Sequence, residues 1–73
     1  MKAYKNSKGV ILAVFKTCDD DYAVYRRKDE FSDFVRTKSY FPPRATRAEA
    51  ETDLTVVVYQ QKDKSYKLID FKG

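Results

Sequence analysis

Thr46-Arg47-Ala48-Glu49-Ala50-Glu51-Thr52-Asp53-Leu54-Thr55-Val56-Val57-Val58-Tyr59-Gln60-Gln61 is the segment on which the fold turns. Its first half asks for a helix. Thr46 and Glu49 have capping-box spacing: the Thr46 side chain accepts from the amide three residues on, and the Glu49 carboxylate reaches back. Ala50, Leu54, Val57, Val58 and Gln61 recur at helical spacing, with Arg47, Glu51 and Thr55 on the polar side. Its second half asks for a strand, because the run 55–59 is dominated by β-branched residues that favour a pleated surface. The expectation is a helix over about 47–61. The alternative ends the helix near Asp53, makes 54–60 a strand, and turns through Lys62-Asp63-Lys64-Ser65 into a C-terminal hairpin.

The flanking sequence supplies strands. Asn6-Ser7-Lys8-Gly9 reads as a turn. Val10-Ile11-Leu12-Ala13-Val14-Phe15 is short, apolar and rich in branched side chains, so it reads as a central strand buried on both faces. Cys18-Asp19-Asp20-Asp21 reads as a turn, since Asp side chains bond their own backbone. Residues 22–27 form a second strand and 34–41 a third, the connections being short enough for antiparallel neighbours. Pro42-Pro43 stops the third strand, because proline cannot donate to a ladder. Tyr66-Lys67-Leu68-Ile69-Asp70-Phe71 alternates and reads as a short final strand. The expected class is α+β: a three-stranded antiparallel meander, one helix and a last strand, in a single domain over 1–73.

Composition narrows the function. Seventy-three residues permit one domain. There is no histidine, so the commonest general base and zinc ligand are missing. Cys18 is the only cysteine, so it has no disulfide partner and no imidazole to activate it. The three aspartates 19–21 lack the alternating ligands and bidentate Glu of a calcium loop. Gly9 and Gly73 are the only glycines, too few for a phosphate-cradling loop. Asp29/Glu30 and Glu49/Asp53 are carboxylate pairs in a turn and on a polar helix face, with nothing to shift their pKa values. The expectation is no enzyme, no metal, no cofactor and no small-molecule substrate. The six-residue apolar run at 10–15 is too short for a signal sequence or a membrane span, which fits a cytoplasmic protein.

What remains is binding. Fifteen Lys and Arg against eleven Asp and Glu give +4. One helix covers one face of a small sheet and leaves the other open. Strand parity puts Tyr22, Val24, Arg26 and Lys28 on one side and Ala23, Tyr25 and Arg27 on the other. In the third strand it separates Phe34, Arg36, Lys38 and Tyr40 from Val35, Thr37, Ser39 and Phe41. The more apolar sets suit the helix-covered core. The expected open face then carries Arg26, Lys28, Arg36 and Lys38, bordered by Tyr22 and Tyr40. Clustered cations with aromatics suit a nucleic acid, because cations displace condensed counterions and Arg reads guanine in a bidentate fashion. The same cations also serve simply to solvate and protect an open sheet.

Ser39-Tyr40-Phe41, then Thr46-Arg47-Ala48-Glu49-Ala50-Glu51 and Leu54, resembles a pattern of mobile-element proteins in which a strand ending in an aromatic precedes T-[RK]-x-E-A-x-x-x-L. It is similar to the arm-type DNA-binding domain of phage and conjugative-transposon integrases, and to short uncharacterised phage or integrative-element proteins. The resemblance implies a three-stranded sheet laid in the major groove of double-stranded DNA, with contacts on Arg26, Lys28, Arg36 and Lys38. Asp19-Asp20-Asp21 stands where such domains usually have a glycine-shaped hairpin, and no recombinase domain follows, so a free-standing module is expected. Phage ancestry also implies the alternative partner: a host protein or nucleoprotein complex, blocked stoichiometrically by an inhibitor of anti-CRISPR type, with Tyr22 or Tyr40 as hot spots. Oligomeric state is left open by the sequence.

Overall fold

The computed structural model describes residues 1–37 and 40–72. In chain order its elements are β1 (Lys2–Lys5), β2 (Ile11–Lys16), β3 (Tyr22–Arg27), β4 (Val35–Arg36), α1 (Arg47–Gln60) and β5 (Lys67–Asp70). The class is α+β. All strand pairs are antiparallel, in the order β4-β3-β2-β1-β5, and α1 lies across β2 and β3. The sheet is thus larger than a three-stranded meander by one strand at each end of the sequence.

The long helix is the correct reading of 46–61. Thr46 caps it: its Oγ1 accepts from the Glu49 amide at 3.3 Å and donates to the Glu49 carboxylate at 3.0 Å. Burial outweighs strand propensity in its second half. Ala50, Leu54 and Val57 are each 1% exposed or less and lie against Leu12, Val14 and Val24. A strand over the same residues would have put Leu54, Val56 and Val58 on one side instead. The helix ends where Gln61 turns extended. Its last carbonyls are met by the Gln61 amide and side chain and by Lys64 Nζ, 2.6 Å from the Tyr59 carbonyl. That ammonium also complements the negative end of the helix dipole.

Two three-residue hairpin loops fix the register of the sheet. In the first, Asn6 N–H donates to the Val10 carbonyl at 3.1 Å, and Gly9 takes φ +87°. The Asn6 side chain accepts from the Lys8 and Val10 amides. The second repeats the plan, with Thr17 N–H donating to the Asp21 carbonyl at 2.7 Å and Asp20 at φ +64°. Asp20 does there what Gly9 does in the first loop, against the Cβ clash that penalises left-handed backbone. Asp20→Gly is therefore expected to stabilise the fold by about 0.5–1 kcal/mol, read as a rise in urea midpoint at unchanged slope.

β1 is absent from the sequence reading. Lys-Ala-Tyr-Lys is too short to show a period, and it becomes a strand only because the Asn6–Gly9 turn folds it back on β2. The third strand is shorter than the expected 34–41. Only Val35 and Arg36 pair with β3 as a strand. Phe34 lies ahead of it, and Tyr40 and Phe41 pack into the helix-side core. Beyond Pro42-Pro43 the chain returns to the edge of β3, where Arg44 exchanges both backbone hydrogen bonds with Tyr22 at 2.8 Å. The Arg44 guanidinium then grips the buried Asp53 carboxylate of α1 at 2.7 and 3.2 Å, joining the edge of the sheet to the helix.

Asp63 ties the other end together. Its carboxylate accepts from Asn6 Nδ2, from the Ser65 amide and from the Ser65 hydroxyl at 2.6 Å. These bonds, the Ser65 hydroxyl foremost, hold its pKa below the ordinary 3.8. A carboxyl depressed in the folded state contributes stability above its unfolded pKa and loses it as pH falls through the folded value. The melting temperature is therefore expected to drop below pH 3.8, and Asp63→Asn to flatten that drop in a pH series of thermal melts.

Candidate functional site

The register decides which side chains share a face. Paired residues in an antiparallel ladder point the same way. Tyr25 pairs with Arg36 and Ala13, while Arg26 pairs with Val35 and Leu12. Leu12 belongs to the helix-side core and Ala13 to the opposite cluster. Arg26 and Arg36 therefore lie on opposite faces, and the single open face of Arg26, Lys28, Arg36 and Lys38 does not form. Arg36 is on the open side. Arg26 and Lys28 are on the helix side, in a groove of about 530 Å³ with Phe31, Asp33 and Val35. Tyr22 and Tyr40 border the helix-side core, and the Arg47 guanidinium sits 5.2 Å above the Tyr22 ring. Lys38 lies outside the described residues.

The face away from the helix has its own architecture. Its floor is Ala3, Ile11 and Ala13, almost wholly buried though no helix covers them. Small floor residues leave room for an aromatic roof. Phe15 packs on Phe34 at 4.7 Å and on Tyr25 at 5.6 Å, and Phe34 on Phe71 at 5.6 Å between ring centroids. The Arg27 guanidinium lies 5.1 Å from the Phe34 ring and 5.3 Å from Phe71. Such stacking suits the flat, weakly hydrated Arg head group.

Cations frame this roof. Lys67 pairs with Lys5, Lys5 with Ile11 and Ile11 with Arg27, so all three cations lie on the open side, and Arg36 joins them beside Tyr25. No strand position on this side carries a carboxylate. None of the four cations is in an ion pair among the described residues. At one turn end Asp29 and Glu30 share a groove of about 420 Å³ with Lys5, Lys8 and Arg27. The Ser32 hydroxyl and the Phe31 amide hold the Asp29 carboxyl below its ordinary range, so it stays charged and limits how far an anion can extend there.

Sequence reasoning missed Arg27 because the two parity sets of β3 are nearly equal, each holding a tyrosine, a smaller apolar residue and an arginine. It missed Lys5 and Lys67 because β1, which pairs with β5, was not expected. The usable signal was residue size. Val24, not Ala23, matches the bulk that a helix needs beneath it, and the alanines 3, 13 and 23 mark the other side. On the helix side, burial pushes the Tyr66 phenol up, while the charge of Arg26 draws it back. Among the described residues no carboxylates or thiols gather as a metal site, and no helix is long and apolar enough to cross a membrane. The fold and this face define a single-helix, five-stranded antiparallel sheet protein with a cationic, aromatic open side. No known family, curated protein or solved structure matches the chain.

Proposed function

We propose that the chain is a non-enzymatic DNA-binding module that meets the phosphate backbone with the side of its sheet away from the helix. One observation carries the reading: the open side holds Lys5, Arg27, Arg36 and Lys67 at strand positions with no carboxylate among them. Neighbouring strands are about 4.8 Å apart, so Lys5 and Arg27 stand roughly 10 Å apart and the outer pair roughly 19 Å. That spread brackets a major groove about 12 Å wide, which lets cations reach phosphates on both of its walls. The resemblance to integrase arm-type domains agrees in the use of a sheet, but the contact residues differ from those it implies, Arg36 excepted. Fluorescence anisotropy against a mixed-sequence duplex at about 50 and about 200 mM salt tests the reading, since four neutralised phosphates predict roughly a 150-fold loss of affinity. Absence of binding at the lower salt would remove it.

A second reading rests on the helix-side groove. Phe31 is 91% exposed and Val35 62%, beside Arg26 and Lys28. A large aromatic held in water by a turn, flanked by cations, suits a protein partner more than a duplex. This keeps the stoichiometric inhibitor in view with Phe31 as its hot spot, whereas Tyr22 and Tyr40 are committed to the core. Phe31→Ala is expected to leave DNA affinity within about twofold, because a lone rim residue off the charged face adds little to phosphate binding.

A further inference from the structure

The two edges of the sheet are not alike. β4 is two residues long and hands over to Arg44, which pairs with Tyr22 and shortens the open edge of β3. β5 is a regular strand, ends the sheet, and contains no proline, glycine or bulge to blunt it.

Its outward groups follow from the ladder. Met1 and Phe71 exchange both hydrogen bonds at 2.9 Å. Bonded and unbonded pairs alternate along an antiparallel ladder. Ile69 and Lys67 therefore bond to β1, and the backbone N–H and C=O of Leu68 and Asp70 point away from the sheet. They take part in no backbone hydrogen bond outside the sheet among the described residues. Leu68 faces the helix side, but α1 sits over β2 and β3, and Leu68 is left 56% exposed.

We propose that β5 pairs antiparallel with β5 of a second copy of this chain, about a two-fold axis through Leu68, making one continuous ten-stranded sheet. A two-fold perpendicular to the sheet keeps each face on its own side, so both helices fall on one side. The outward groups permit pairs only among Leu68 and Asp70 and their continuation at Tyr66. Centring on Asp70 sets two carboxylates against each other. Setting Leu68 against Asp70 buries a charge on an apolar side chain. Centring on Leu68 sets Leu68 against Leu68 of the second copy and brings each Tyr66 opposite the other copy's Asp70, a phenol donor facing a carboxylate acceptor. On the open side Lys67 lies across from Ile69, where its methylene stem covers apolar surface and its charge reaches water. The register is self-complementary, which an isologous contact requires.

Edge pairing of one short strand buries less than a standard interface, so the dimer belongs to the weak class and depends on concentration. The experiment is sedimentation velocity of the DNA-free protein from about 10 μM to about 1 mM, with amide hydrogen exchange at both ends of the range. The expected result is a mass rising from 8.6 kDa towards twice that value, with the Leu68 and Asp70 amides gaining protection as concentration rises. A monomer throughout the range overturns the proposal, as does a dimer whose Leu68 and Asp70 amides exchange as fast as in the monomer. Leu68→Lys is expected to abolish association. Leu68→Pro removes only an outward amide and should do the same while leaving the β1 ladder intact, checked by circular dichroism. Persistence of the dimer in both variants places the contact elsewhere and overturns the assignment. Because no DNA is present, the result is independent of the DNA-binding reading.

Discussion

Leu54→Ala lowers the stability of the domain by about 2–5 kcal/mol, and Val56→Ala leaves it nearly unchanged. Leu54 is 1% exposed and packed among Leu12, Val14, Val24 and Val57, so truncation opens a cavity where helix meets sheet. Val56 is 38% exposed, and alanine in its place trades a little apolar contact for better helix propensity. A domain of this size holds only about 4–11 kcal/mol in total, so the first change spends a large part of it. Each kcal/mol is about 4–8 °C in melting temperature, so Leu54→Ala should melt about 8–40 °C lower. The contrast also tests the helix, because a strand would have set Leu54 and Val56 on the same side. Equal losses from the two variants would contradict the packing described for α1.

The helix was legible because its cap and its apolar spacing agree, even though Thr55 to Tyr59 argue locally for a strand. Local propensity is a matter of tenths of a kcal/mol per residue, whereas burying Leu54 and Val57 is worth kcal/mol. β2 was legible for a related reason: six apolar residues in a row have no solvent face to offer, and only the centre of a sheet hides both. The Asn6–Gly9 and Cys18–Asp21 turns were legible from their Asn, Gly and Asp residues. β1 was not, because Ala3 and Tyr4 alone cannot specify a strand. What makes them one is the partnership with β2 on one side and β5 on the other, which is information from distant parts of the chain. Likewise Phe34 and Tyr40 look like strand residues and are used to plug the two faces.

The site was less legible than the fold, since it depends on a choice of sign. A strand with two nearly equivalent sides gives its face only when something else breaks the tie, and one wrong assignment carries every residue of that strand to the other side. That is why Arg26 and Lys28 moved to the helix side with Tyr22, while Arg27 came to the open side. Arg36 kept its place, because in β4 the apolar Val35 was rightly given to the helix side.

The separation of these arginines makes the DNA-binding proposal sharp. Lys5→Ala/Arg36→Ala/Lys67→Ala removes three of the four open-side cations and spares Arg27, whose head group is also part of the Phe34–Phe71 packing. Lys5, Arg36 and Lys67 take no part in the ion pairs or aromatic stacks among the described residues, so the fold should persist. With four phosphate contacts the logarithmic salt slope is about −3.6, and with one it is about −0.9. Between about 50 and 200 mM salt the parent should weaken roughly 150-fold and the triple variant only about threefold. Arg26→Ala/Lys28→Ala removes two charges from the opposite side. It changes net charge almost as much, and it should leave the slope near −3.6 if contact rather than overall charge drives binding. Equal effects of the two sets would mean a diffuse field with no bound face. A larger effect from Arg26 and Lys28 would move the interface to the groove beside Phe31, and the exposed aromatic there would then have to meet the DNA.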